Sequence, residues 1–167
     1  MNRIEKRMQE LQQRGEKALI TYITAGLPDM EGTKKLIRAQ EEAGVDVVEL
    51  GIPFSDPVAD GPVIQDASYR SILKGTTLRK VLAMVKELRA EGCEQPLIFM
   101  MYYNTVMSYG VQNFADACVE IGIDGLIIPD LPMEEQGELK EALAGREETV
   151  IIPLVSPVSG DRIPKLV

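Results

Sequence analysis

Short, continuous apolar runs alternate with amphipathic stretches along the whole chain. The runs are rich in β-branched and aromatic side chains, which is typical of strands. They are uniformly apolar rather than alternating, so they predict strands that are buried on both faces. The predicted strands are residues 18–24, 46–50, 96–101, 125–129 and 149–154.

The stretches between these runs place apolar residues three and four positions apart, which is the pattern of an amphipathic helix. Glycines follow several of them and mark helix ends, as Gly15, Gly44 and Gly92 do. A further helix is expected to begin after residues 159–161. The predicted helices are residues 3–13, about 30–43, 62–73, 77–91, 111–121 and 134–144.

Strands that alternate with helices predict a parallel sheet with helices packed against it. Two architectures fit this pattern, an open doubly wound sheet and a (β/α)8 barrel. Neither a Gly-x-Gly-x-x-Gly motif after the first strand nor a phosphate-binding Gly-x-x-x-x-Gly-Lys-Ser/Thr motif occurs, which weakens the nucleotide-binding folds. Both architectures bind ligands at the carboxyl ends of their strands.

Charge and composition narrow the classes of function. Eighteen Lys and Arg against 26 Asp and Glu give a net charge of −8, which argues against binding to a nucleic acid backbone. No apolar run approaches the length of a membrane span, and residues 1–7 lack the apolar core of a signal peptide. We therefore expect a cytoplasmic protein in which Cys93 and Cys118 are free thiols.

The sequence contains no histidine. This excludes, within these residues, a Ser-His-Asp triad, a histidine general base and a histidine-ligated zinc site. Proton transfer would therefore fall to Asp, Glu, Lys, Tyr or Cys side chains.

The most informative stretch is residues 45–65, which begins as the second predicted strand and continues into a loop rich in proline and glycine. Glu49 lies near the end of the strand, and Asp56 and Asp60 lie in the loop. A strand does not need a carboxylate at its carboxyl end in order to fold, whereas an active site often does. From composition alone, an ion pair of Glu49 with a neighbouring strand, or a turn or N-cap role for Asp60, explains these residues equally well.

This stretch resembles the signature of the tryptophan synthase alpha chain family. The similarity begins at Glu49 and reads Glu-Leu-Gly-Ile-Pro-Phe-Ser-Asp-Pro-Val-Ala-Asp-Gly-Pro-Val-Ile-Gln. Four more stretches agree in the same order, so the resemblance extends over essentially the whole chain. They are residues 22–29, 101–104, 122–132 and 152–157.

The resemblance implies a (β/α)8 barrel. Residues 1–167 would form a single domain with the first five β/α units and an N-terminal helix that closes the barrel floor. A complete barrel needs about 250 residues, so we expect this chain to be an incomplete barrel. Phosphate is usually bound by the loops after strands seven and eight, which are not in this sequence, and we expect residues 1–167 to be inactive alone.

The resemblance also implies a lyase that cleaves indole-3-glycerol phosphate, by a retro-aldol reaction, to indole and glyceraldehyde 3-phosphate. The alpha chain uses no cofactor. Its partner, the beta chain, uses pyridoxal phosphate and receives the indole directly. The alpha and beta chains together form an alpha2-beta2 heterotetramer. The alternative is a non-catalytic, alpha-like subunit that only binds and activates a beta chain.

Within this resemblance, Glu49 matches the group that shuttles protons, and an apolar setting should raise its pKa. Asp60 matches the carboxylate that holds the indole N–H. Asp130 resembles a supporting acid rather than a catalytic one.

Four residues fall at the positions of the indole slot, and three at the interface with the beta chain. The slot residues are Tyr22, Met100, Ile127 and Pro129, and the interface residues are Pro53, Asp56 and Asn104. The family usually has phenylalanine in place of Tyr22, so its hydroxyl is a departure, which would either reduce indole affinity or point to solvent. Ordinary core packing is the alternative for all four slot residues.

Overall fold

The computed structural model describes residues 2–166. Five parallel strands form one sheet in sequential order, and helices connect each strand to the next. The strands are β1 (Ile20–Thr24), β2 (Val47–Gly51), β3 (Leu97–Met100), β4 (Gly125–Ile127) and β5 (Val150–Ile151). The helices are α1 (Arg3–Arg14), α2 (Met30–Glu42), α3 (Pro62–Leu73), α4 (Leu78–Ala90), α5 (Tyr103–Tyr109), α6 (Val111–Ile121), α7 (Gly137–Ala142) and α8 (Ile163–Leu166).

The strand order separates the two architectures that the sequence left open. A doubly wound sheet reverses its strand order at a switch point, whereas here every strand pairs with its immediate predecessor. The (β/α)8 type of fold is therefore confirmed, with five of its β/α units in residues 2–166.

The two faces of the sheet bury different clusters of side chains. Val48 and Leu50 of β2 point outward, with Phe99 of β3, into a large core shared with α4 and α6. Val47 points the other way and forms a smaller inner cluster with Ile98 and Ile127. Both faces of the strands are covered, which explains why their sequences are continuous apolar runs and agrees with the predicted burial on both faces.

Helix α1 closes the amino-terminal end of the sheet, as predicted. Ile4 and Met8 pack against the inner cluster. At the same end, the Arg3 Nη1 donates to Asp124 Oδ1 over 3.1 Å, and the Arg7 Nε donates to Asp46 Oδ1 over 2.7 Å. These contacts leave the carboxyl end of the sheet as the open end of the barrel.

Several predicted boundaries were wrong. The helix expected at 134–144 is a 3-10 turn, Met133–Glu135, followed by the shorter α7, and the strand expected at 149–154 is paired only over Val150–Ile151. Helix α5 was not predicted at all. Of residues 2–166, none lies in a helix with both the length and the apolar character needed to cross a bilayer.

Candidate active site

Glu49 lies on β2, on the inward face of the sheet that it shares with Val47. Its neighbours in register are Tyr22 of β1 and Ile98 of β3. The side chain is half-buried, and within residues 2–166 its carboxyl makes neither an ion pair nor a hydrogen bond. Burial raises the pKa of Glu49. The ion pair that would have explained this acid structurally is thus absent from the described part of the chain.

Asp60 lies in the loop after β2, and its carboxylate is held from the neighbouring strand. Its Oδ2 accepts a hydrogen bond of 3.1 Å from the Tyr102 hydroxyl, which itself accepts the backbone N–H of Ala59 over 2.9 Å. Helix α3 takes Gly61 as its N-cap and has no side-chain cap. Asp60 therefore does not serve as the helix cap.

Tyr102 follows β3 directly and fixes the path of the β2 loop. It is only 6% exposed, and its ring stacks on Phe54 with 5.0 Å between ring centroids and 23° between ring planes. Burial raises the pKa of its hydroxyl, to which the adjacent Asp60 charge also contributes. The phenol therefore stays protonated and can donate to the Asp60 carboxylate.

The charges of both carboxylates act on the Tyr22 hydroxyl. Burial raises the pKa of Tyr22, and the charges of both Asp60 and Glu49 raise it further. A methyl group built on Gly51 would lie 2.0 Å from the Tyr22 hydroxyl oxygen. The phenol therefore lies over β2 at the open end of the barrel.

The other predicted slot residues are only partly brought together. Met100 is in register with Gly51 of β2 on one side and with Ile127 of β4 on the other. Both Met100 and Ile127 belong to the inner cluster. Pro129 is half-buried and lines a separate cavity of about 110 Å³ with Ile152. The structure places Tyr22, Met100 and Ile127 on the inward face, and Pro129 further along the chain beyond β4.

The three predicted interface residues lie at the same end of the sheet. Pro53 is half-buried, whereas Asp56 and Asn104 are exposed. The Ser55 hydroxyl donates to Asp56 Oδ2 over 2.6 Å, within the loop itself. Val58, two residues further on, is 85% exposed, so the tip of this loop presents an acid and an apolar side chain to its surroundings.

Asp130 has a local structural contact. Its Oδ1 accepts the backbone N–H of Tyr103 over 2.9 Å. This N–H belongs to the first residue of α5 and has no acceptor within the helix. The contact orients the segment after β3, which includes Tyr102, and fits the supporting role that the sequence suggested.

Two residues of the site were not singled out from the sequence. These two residues are Tyr102 and Gly51. The structure extends β2 to Gly51, one residue beyond the predicted strand, so the signal that a glycine inside a strand gives for close approach of another group did not apply. The partnership of Tyr102 with Asp60 joins residues 42 positions apart and left no local signal.

Consecutive parallel strands and a helix across the amino-terminal end define an α/β barrel protein, and its two carboxylates, Glu49 and Asp60, lie at the end where such barrels usually have their active sites. Residues 8–167 match the family model described as tryptophan synthase alpha chain. The chain belongs to the tryptophan synthase alpha chain family.

Similar proteins support this assignment. The tryptophan synthase alpha chain of Lachnospira eligens is 58% identical over 167 residues, which are 99% of this chain and 63% of that protein. A crystal structure of tryptophan synthase subunit alpha from Legionella pneumophila superposes with a TM-score of 0.92 at 41% identity, covering 98% of this chain and 63% of that one. For a Mycobacterium tuberculosis tryptophan synthase in an open form, the TM-score is 0.89 at 32% identity, covering 99% of this chain and 66% of that one. The chain thus spans somewhat less than two thirds of the first two relatives.

Proposed function

We propose that the protein is a carbon–carbon lyase that cleaves indole-3-glycerol phosphate, by a retro-aldol reaction, to indole and glyceraldehyde 3-phosphate in tryptophan biosynthesis. One observation carries this proposal. Glu49 is a half-buried carboxyl without a protein partner in residues 2–166, and it lies at the open end of the barrel with a raised pKa. An acid with these properties can both give and take a proton.

The reaction requires two proton movements around one carbon–carbon bond. Carbon C3 of the indole ring must gain a proton, and the hydroxyl on the adjacent carbon must lose one as it becomes an aldehyde. We assign this shuttle to Glu49, because its strand position is fixed by pairing on both sides. A preorganised acid or base of this kind contributes about 10²- to 10⁴-fold in rate.

The ring nitrogen carries positive charge while the bond breaks. We assign the stabilisation of this charge to Asp60, which would accept the indole N–H. Tyr102 supports the assignment, because its hydroxyl occupies one oxygen of the Asp60 carboxylate and leaves the other available. A carboxylate aimed at a site where charge develops lowers the barrier without any reorganisation.

The indole ring would bind between the inward side chains at the open end of the barrel. We propose that Tyr22, Met100, Ile127 and Pro129 line this slot. Flat apolar ligands are held mainly by apolar and aromatic surfaces, with a few polar groups that fix their orientation. The inward positions of Tyr22, Met100 and Ile127 support this assignment, and that of Pro129 rests on the resemblance.

We further propose a beta chain as partner, in an alpha2-beta2 assembly. One similar structure is described as a tryptophan synthase complex from Pyrococcus furiosus, with a TM-score of 0.80. The loop that carries Pro53 and Asp56, together with Asn104 on α5, would contact this partner. Pyridoxal phosphate would belong to the beta chain, and the alpha chain would use no cofactor. Cytoplasmic location is part of the proposal, and the two buried free thiols, Cys93 and Cys118, agree with it.

A polypeptide of residues 1–167 alone should not turn over substrate. Strands β1 and β5 each pair on one side only in the described sheet. Apolar side chains near these edges are exposed, with Leu19 at 57% and Leu154 at 56%. Unpaired strand edges and exposed apolar groups favour association with other chains, so the tests below use the complete protein.

The test compares indole release from indole-3-glycerol phosphate by wild type, Glu49→Gln and Asp60→Asn. We expect both variants to remain folded, as cooperative urea unfolding would show, and to lose about 10²-fold or more in turnover. Glu147→Gln is a matched control, because Glu147 is exposed in the turn before β5, and it should keep full activity. Near-normal turnover by Glu49→Gln would overturn the mechanism. Absence of cleavage by the wild type, with activation of a beta chain retained, would identify a non-catalytic alpha-like subunit instead.

A further inference from the structure

The hydroxyl of Tyr22 occupies an unusual place in the site. Tyr22 is the residue of β1 in register with Glu49, and its ring reaches across β2 so that its oxygen lies over Gly51. An ideal Cβ on Gly51 would lie 2.0 Å from that oxygen and 2.5 Å from the ring carbon Cζ. The absence of a side chain at Gly51 is what makes room for the phenol at this point.

The proton of this hydroxyl has no acceptor in the described part of the chain. Across residues 2–166, no hydrogen bond runs from the Tyr22 oxygen to a carbonyl or carboxylate. Burial, followed by the charges of Asp60 and Glu49, raises the pKa of Tyr22, while the Thr24 hydroxyl acts in the opposite direction. The raised pKa means that the phenol keeps its proton near neutral pH.

A protonated, half-buried phenol without an acceptor, close to two carboxylates, suits an oxygen atom of a ligand. Within residues 2–166 no fully buried polar side-chain atom lacks a partner, so solvent reaches this hydroxyl, and a ligand oxygen would replace water as its acceptor. The carboxylates are already assigned to the indole ring and to the moving proton. Of the two hydroxyls of the substrate, the one on the carbon whose bond to indole breaks is the one whose oxygen changes charge during the reaction.

We propose that the Tyr22 hydroxyl donates a hydrogen bond to the oxygen of this reacting hydroxyl, so that Tyr22 is a substrate-contacting residue and not only part of the apolar slot. This inference rests on the function proposed above. As that hydroxyl gives its proton to a carboxylate, its oxygen gains negative charge before the aldehyde double bond forms. The Tyr22 donor would stabilise this charge and keep its own proton throughout, so the balance of the reaction does not change.

The test uses Tyr22→Phe in the complete protein, because this change removes one oxygen atom and keeps the ring. Two quantities are measured. The first is kcat/KM for indole-3-glycerol phosphate. The second is the inhibition constant of 3-(indol-3-yl)propyl phosphate, which keeps the ring and the phosphate but lacks both hydroxyls. We expect kcat/KM to fall by about 10- to 150-fold, as the loss of a hydrogen bond to a charged oxygen implies, and the inhibition constant to stay within about twofold.

Tyr69→Phe is the control, because Tyr69 is 62% exposed on α3, and neither quantity should change. An equal change in both quantities for Tyr22→Phe would mean that only ring packing was altered, and it would overturn the inference. Wild-type values for both would mean that the hydroxyl is idle, which also overturns it. If the wild type itself does not cleave the substrate, the proposed function fails and this inference fails with it. Thermal unfolding of each variant excludes a loss of fold as the cause.

Discussion

Gly51 is the residue whose replacement tests the architecture of the site most directly. It lies at the carboxyl end of β2, two residues after Glu49, on the inward face of the sheet. Its backbone has no positive φ, so an alanine there meets no conformational strain. The three atoms nearest to a new methyl group at Gly51 all belong to Tyr22, so Gly51→Ala acts chiefly on this ring.

The size of the effect follows from three distances. The new methyl carbon would lie 2.0 Å from the Tyr22 hydroxyl oxygen, 2.5 Å from Cζ and 2.8 Å from Cε2. Each distance is well inside the separation of about 3.5 Å at which such atoms attract, so the rigid ring must rotate away. Overpacking of this kind costs about 1–3 kcal/mol, or roughly 2–4 °C of melting temperature per kcal/mol in a domain of this size. Rotation of the ring would also remove it from the slot, so turnover should fall as well.

The assay combines urea unfolding with indole release, both on the complete protein. Gly137→Ala is the matched control, since a methyl group there meets nothing within 4 Å and the residue opens α7; it should be neutral or slightly stabilising. The decisive variant is Gly51→Ala combined with Tyr22→Ala. If the ring is the obstacle, Gly51→Ala should cost little in that background, with a coupling of about 1–3 kcal/mol. An equal cost in both backgrounds would refute the reasoning.

Three further predictions concern other contacts. Burial raises the pKa of Glu49, so ionisation of this carboxyl opposes folding. Glu49→Gln should therefore match the wild type in unfolding free energy below about pH 4 and exceed it as the pH rises through the raised pKa. Urea titrations at several pH values measure this difference. Tyr102→Phe should reduce turnover by about tenfold, because the Asp60 carboxylate loses the hydrogen bond that the Tyr102 hydroxyl donates. The KM for indole-3-glycerol phosphate and the pH profile of kcat distinguish misplacement of Asp60 from loss of fold. Asp124→Ala should destabilise the protein by about 3–5 kcal/mol, because it leaves the buried Arg89 guanidinium without its carboxylate partner. Lys86→Ala breaks an exposed ion pair with Glu120 and should cost under about 1 kcal/mol in the same urea assay.

The strands could be predicted because their physical cause is local. Residues 46–50 are uniformly apolar apart from two acids, and β2 is buried on both faces over most of its length. The same reasoning overestimated β5, because an apolar run identifies residues that avoid water and not residues that pair. Only Val150 and Ile151 have ladder partners on β4.

Helix α5 could not be predicted because contacts distant in sequence define it. Its residues, Tyr-Asn-Thr-Val-Met-Ser-Tyr, are mostly poor helix formers. The helix begins where the Asp130 carboxylate accepts the Tyr103 N–H, and it packs through the fully buried Val106. Both contacts join segments that no window of the sequence places together, so tertiary structure overrides propensity here.

The site divides in the same way. The positions of Glu49 and Asp60 at the carboxyl end of β2 could be predicted, because acids beside a buried strand depart from the surrounding apolar pattern; their catalytic roles stay a prediction. The support for Asp60 could not be predicted, because Tyr102 becomes its partner only when β3 lies beside β2. The same holds for the Tyr22 phenol over Gly51, a contact between two strands that pairing alone creates.

The two carboxylates are held by supports of different stiffness, and this difference has a functional consequence. Glu49 is part of a strand that is paired on both sides, so movement of the exposed loop leaves it in place. Asp60 belongs to that loop, and a single hydroxyl from Tyr102 fixes its carboxylate. The same hydroxyl also accepts the Ala59 N–H, so a displacement of the loop would act on both contacts at once. If Asp60 stabilises charge and Glu49 moves protons, as proposed above, a partner bound at Asp56 would alter the first group and leave the second unchanged.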